Sequence, residues 1–286
     1  MDGVEAGRVR FGKTGGGGMK KYGRQGIRGL LLTAPVMLGC MIFYAVPFLM
    51  VFWYSFRSGM GGYSTFTGLE NYKSVIENPV FRLAAGNTLK FFLIGLPLIL
   101  ILAYGIALLL KSQVQKFAFM KPVLLFPYIM PVTGTVLLAD VFFAASETGL
   151  GSILVLYLWK NTGYSMILLL AGLMTIPQEQ YNCAKLDGAG KIQMFFYITT
   201  PQMWYSLFFT FLFSMINGFK CFREIFLLGG EHPDKQVYML QHYLNNNFES
   251  LNYRNLSAVS VLLFLVITIV LGLAYAGVLR KEAYKS

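Results

Sequence analysis

The chain alternates long apolar runs with short polar ones. Gly29 to Phe56 carries no charge in 28 positions, where a bilayer core asks for about 20 helical residues. The run predicts a first spanning helix over about 30–53, with Pro35 and Pro47 as points of bending. Comparable runs predict five more spans, over about 88–110, 122–143, 152–175, 203–226 and 256–279. None shows the period-two alternation of a barrel strand, so the expected fold is an all-α integral membrane protein with six transmembrane helices. Between them, 57–82 reads as a loop with room for a short surface helix. The stretches 111–121, Ser146–Gly149 and 229–254 read as connectors.

One connector differs from the rest. Ile176 to Pro201 is long and patterned as helix–turn–helix. Pro177 suits a first helical position, Glu179 complements the positive helix end, Gly188 and Gly190 stop the helix, and Pro201 stops the next segment. A structured loop at the membrane surface is something for another protein to grip.

Composition reinforces the membrane reading: 56% of the 286 residues are hydrophobic and 13% charged, more apolar side chain than a soluble domain of this size can hide. The net charge of +11 would raise nucleic acid as a partner in a soluble protein; here the positive-inside rule explains it without one. Seven Lys/Arg lie in the N-terminal tail, three in 111–121, two in 176–201 and three in the C-terminal tail, fifteen of the 24. Both termini and the 176–201 loop are therefore expected in the cytoplasm. The domains are a basic, Gly-rich tail over 1–29, a membrane domain over 30–280 and a short tail over 281–286.

Several motifs carry no chemistry. Gly7 to Thr14 matches the Walker A pattern, but six residues precede it and Gly15–Gly18 follows, so no strand and helix can flank it. If ATP drives this protein, another chain hydrolyses it. Cys40, Cys183 and Cys221 form no CxxC pair, and neither a metal site nor a cofactor is expected. The sequon at Asn255 abuts the sixth span too closely for modification.

Polar side chains inside apolar helices are costly and usually face a cavity or each other. Asn161 and Asn217 cannot snorkel, whereas Lys160 can reach the headgroups and Lys220 can pair locally with Glu224. Asn161, Tyr164, Asn217, Phe219 and Phe222 bring amide, hydroxyl and aromatic groups into the spans, and with Glu224 they form the expected substrate pathway.

The 176–201 loop resembles the EAA loop of ABC importer permeases. Asn182-Cys183-Ala184, three residues, Gly188, nine residues, then Ile198-Thr199-Thr200-Pro201 follow its spacing, and Asp187-Gly188-Ala189 matches its core. Asn182 stands for Glu, Cys183 for Ala and Thr200 for Leu, departures that leave the turn geometry intact. Trp159-Lys160, Gly163-Tyr164 and Leu170 to Leu173 look like the fourth helix of the carbohydrate-type, MalF-like branch. Phe219, Phe222, Glu224 and Gly229-Gly230 look like the end of its fifth helix, and Leu256 to Phe264 the start of its sixth. There an acidic residue usually precedes the position of Glu224; here it is Arg223. The resemblance covers about 30–280.

This likeness implies a type I ABC importer permease in a prokaryotic cell membrane, a transport subunit and not an enzyme. It implies a carbohydrate substrate, an oligosaccharide, with a second permease subunit, two ATPase subunits and an extracytoplasmic sugar-binding protein as partners. It also implies that Tyr181, Asn182, Cys183, Ala184, Lys185, Asp187 and Gly188 form a cytoplasmic coupling helix for the ATPase. The rival is a secondary transporter driven by an ion gradient. Asp140 is its one acidic candidate within a span away from the end of the fifth helix, and no internal repeat accompanies it.

Overall fold

The structure is a computed structural model, describing residues 29, 31–59, 65–111, 119–143 and 149–283. Residues 1–28, with the Walker-like match, the Ser146–Gly149 turn up to Thr148, and residues 284–286 lie outside the described residues.

Leu31–Tyr54 (α1) is one apolar helix of 24 residues, none of them buried. Over Met41–Ala45 it widens to π geometry, with Val46 N–H donating to Met41 O. Pro47 follows at once. Lacking an N–H and crowding the carbonyl four residues back, it disturbs the regular ladder at this point.

Past Tyr54, a two-stranded hairpin pairs Arg57–Ser58 (β1) with Thr65–Phe66 (β2). The expected surface helix is Glu70–Glu77 (α2). Buried Asn71 fastens this region: Nδ2 donates to Ser55 O (2.8 Å) and Arg57 O (2.9 Å), and Oδ1 accepts from Arg254 Nε (2.6 Å).

The second span begins nine residues earlier than the hydropathy pattern predicts. Pro79–Lys111 (α3) starts where Asn78 Oδ1 caps the N–H groups of Val80 (2.8 Å) and Phe81 (3.3 Å), with Pro79 at the first helical position. The third span is not one helix. Met120–Ile129 (α4) and Val132–Phe143 (α5) are bent by 96° at Met130–Pro131. Pro131 pushes Met130 out of the helical region, to ψ 136.

Leu150–Met174 (α6) is the fourth span, close to its predicted bounds. Then come Gln178–Leu186 (α7), a helical stretch over 191–202 (α8), and Trp204–Lys220 (α9). The expected fifth span over 203–226 is interrupted: α9 has 17 residues, and after a turn at Cys221 Phe222–Gly229 (α10) carries the chain on. The expected loop 229–254 holds Leu240–Glu249 (α11), and Tyr253–Ala283 (α12) ends the fold.

By length and composition α1, α3, α6 and α12 can cross a bilayer, and the bent α4–α5 pair makes a fifth crossing if counted as one. The all-α membrane fold stands, with the expected third span bent at Met130–Pro131 and the expected fifth interrupted at Cys221. Exposed apolar side chains such as Leu93, Ile101, Ile269 and Leu273 give it the surface lipid requires.

α6 is the central element. Toward its C-terminal end, Met166, Leu169 and Leu173 pack with Ala103 and Ala107 of α3 and with Met203. At the far end, Tyr157 packs with Phe91, Ile99 and Ile225. Tyr157 OH donates to Ser214 O (2.8 Å), and Ser165 and Ser214 hydroxyls meet at 3.2 Å, tying α6 to α9. Gly163 lets α4 come against α6: a Cβ there would lie 1.8 Å from Leu124 O.

Candidate functional site

Two regions separate along α6. At its C-terminal end, α7 and α8 form an elbow. Glu179 in the first turn of α7 and Lys185 in the last both complement the helix dipole. The end is a Schellman motif: Ala189 N–H donates to Ala184 O (2.8 Å), Gly188 N–H to Lys185 O (3.1 Å), and Gly188 takes φ +81. Only glycine adopts that backbone without strain.

Tyr181 holds the elbow to the spans. Its hydroxyl accepts from Lys111 Nζ (2.9 Å) and meets Thr199 Oγ1 (2.9 Å), while Lys111 Nζ lies 4.2 Å from its ring centroid. Gln202 Nε2 donates to Gln180 Oε1, joining α8 to α7. Of the seven expected coupling residues, Tyr181 and Ala184 are half-buried; Asn182, Cys183, Lys185, Asp187 and Gly188 are exposed. Exposed with them are Leu186 (89%), Ile192 (75%) and Tyr197 (81%). So much apolar side chain on a polar elbow is a surface awaiting a cover.

The second region is a cavity of about 160 Å³ at the far end of α9. From the expected pathway it takes Asn161, Asn217 and Glu224, and it adds Tyr128, Lys160, Lys220 and Arg223. Residues 217, 220 and 224 recur at helical spacing, since Cys221 N–H still bonds Asn217 O (3.1 Å) and the turn carries the face across. Glu224 is 3% exposed and pairs with Lys160, not Lys220, so Lys160 reaches across to α10 instead of snorkelling outward. Asn161 Nδ2 donates to Tyr157 O (2.9 Å), leaving its oxygen for another partner.

The aromatic members do not all join them. Tyr164 stacks on Tyr128 (centroids 4.5 Å, planes 8° apart), which itself lines the cavity. Phe219 and Phe222 line a separate cleft with Phe92 and Gln241. Its volume of about 10 Å³ has room for roughly one water. Phe219 packs on Phe92, and Phe222 edge-on against His242 of α11. Burial lowers the His242 pKa to about 4, and its Nδ1 accepts from Met239 N–H, so the ring is neutral.

The sequence reading missed α11 and what holds it. Asn87 Nδ2 donates to Lys235 O (2.8 Å) and Tyr238 O (3.0 Å), and Leu240 N–H donates to Thr88 Oγ1 (2.9 Å). Adjacent polar residues in the first turns of an apolar helix were the available signal.

A family model described as the binding-protein-dependent transport system inner membrane component matches residues 28–282. The chain belongs to this family. The permease is 28% identical over 263 residues to the sulfoquinovosyl glycerol transport system permease protein SmoG of Agrobacterium fabrum, covering 82% of this chain and 84% of that one. It is 28% identical over 284 residues to the arabinooligosaccharides transport system permease protein AraP of Bacillus subtilis, covering 88% and 89%. It also superposes with a TM-score of 0.74 on a chain of a bacterial alginate ABC transporter in complex with an alginate pentasaccharide-bound periplasmic protein. That match covers 90% of this chain and 95% of the other at 17% identity, a likeness of fold. The permease is thus a multi-pass inner-membrane transport subunit of a system that uses a binding protein.

Proposed function

We propose that the permease forms one half of the pathway of an ATP-driven importer for a carbohydrate, an oligosaccharide, beside a second permease subunit. An extracytoplasmic binding protein delivers the sugar, and two separate ATPase subunits grip the α7–α8 elbow from the cytoplasm. Both termini share that side, in line with the Lys/Arg bias. The relatives named for sulfoquinovosyl glycerol and arabinooligosaccharides support the substrate class.

The observation that carries the coupling is the elbow itself. It is closed by a Schellman turn, pinned through Tyr181, and leaves Leu186, Ile192 and Tyr197 exposed. Motion of the ATPases pushes α7, and Tyr181 and the packed end of α6 pass it along the helix. Lys160 lies fourteen positions from Met174, about 21 Å along α6. A rigid helix of that length turns a push at the elbow into a shift at the cavity. Asn161 and Asn217 offer amide groups to sugar hydroxyls there, and Tyr128 offers a ring face.

Gly188→Trp tests this in the assembled transporter. A Cβ at Gly188 meets nothing within 4 Å, so the cost of a side chain there comes first from its φ of +81, roughly 1–2 kcal/mol. The variant is expected in the membrane at normal levels, with ATP hydrolysis no longer yielding uptake. Wild-type uptake would count against the elbow as the coupling part. Uptake that survives ATP depletion and collapses with an ionophore would favour an ion-driven transporter.

A further inference from the structure

We propose that the sugar this permease passes is acidic, bearing a carboxylate, sulfonate or sulfate group that Lys220 and Arg223 meet at the cavity; the inference rests on the carbohydrate-import reading above. The cavity wall carries three cations, Lys160, Lys220 and Arg223, and one carboxylate, Glu224. Lys160 takes that carboxylate in a buried pair. Among the described residues the ion pairs within 4 Å are this one and Lys73–Glu77, so neither Lys220 nor Arg223 has an acidic partner. Asp140, on α5, which packs against α10, does not line the cavity.

A neutral sugar has no use for two unneutralised cations. Its hydroxyls are served by Asn217 and by the free oxygen of Asn161, as in any amide-lined sugar site. An anionic group beside a ring does use them. Arg223 brings a planar fork that matches a carboxylate or sulfonate with two parallel hydrogen bonds, and Lys220 brings a point charge. The cavity is also lined by Tyr128, whose ring, stacked on Tyr164, is the aromatic group available for the sugar's C–H groups. At about 160 Å³ the cavity is smaller than the roughly 300 Å³ of a small complete ligand site. That fits one sugar unit against one half of a two-permease pathway.

The same two cations could instead hold lipid phosphate, and the test separates the sources. The complete transporter with its own binding protein is reconstituted in vesicles of zwitterionic lipid, with and without added anionic lipid. Uptake is measured for trigalacturonate, an alginate trimer and sulfoquinovosyl glycerol as acidic probes, and for maltotriose and arabinotriose as neutral ones. The expected result is uptake of at least one acidic probe, in both lipids. Lys220→Gln and Arg223→Gln each raise its half-saturating concentration by about tenfold. Both side chains are exposed, so the variants fold. Uptake confined to neutral probes overturns the proposal while leaving carbohydrate import intact. So does acidic uptake that the substitutions leave unchanged. Substitutions whose effect appears only with anionic lipid assign the cations to headgroups and also overturn it. Uptake of no probe at all overturns the carbohydrate reading, and this inference with it.

Discussion

Glu224 is 3% exposed on the cavity wall, and Lys160 is its ion-pair partner. Its second oxygen, Oε2, is buried without a partner, so little else supports the carboxylate. Removing one member of a buried pair strands the other, typically at about 3–5 kcal/mol, whereas replacing both is often neutral. Lys160→Met is therefore expected to lower the thermal stability of the purified transporter sharply. The double variant Lys160→Met/Glu224→Gln is expected to recover most of it. Equal losses in the single and double variants would mean the pair is not what holds α6 to α10. The sequence named both residues yet paired Glu224 with Lys220, because spacing on one helix is visible in a chain and a contact between two helices is not.

At the scale of elements, hydropathy located α3, α6 and α12, since burial in lipid writes itself into composition. It could not show where a span breaks. Pro131 was visible, but its 96° bend depends on α4 finding a seat against α6, and that seat is made by Gly163. Gly163→Ala places a methyl carbon inside the contact distance of Leu124 O, and backbone has no rotamer by which to yield. The expected outcome is a loss of roughly 1–3 kcal/mol, read as a lower melting temperature with α4 newly open to protease. An unchanged melting temperature would show that α4 does not pack there. The end of α7, by contrast, was legible: Gly188, at φ +81, stops it by local chemistry alone. Pro177 sits one place earlier than expected, as the N-cap, and Pro201 lies inside α8 instead of ending it, just past the point where Phe195–Thr199 widens to π geometry. Phe219 and Phe222 illustrate the converse: suited to a sugar by type, they face the α11 side because Asn87 and Thr88 hold that helix down.

Within residues 54–283, α6 joins the elbow at its C-terminal end to the charged cavity toward its other end. Cys183 lies on the exposed face of α7, and Cys221 is buried. With Cys40 replaced by Ser, Cys183 becomes a single reporter on the coupling surface. The most direct measurement is thiol cross-linking from Cys183 in the assembled transporter, with and without ATP. The account predicts a product between this chain and the ATPase subunit whose yield changes with nucleotide. A Cys183 that forms no such product, or that an impermeant reagent labels from outside intact cells, would contradict it.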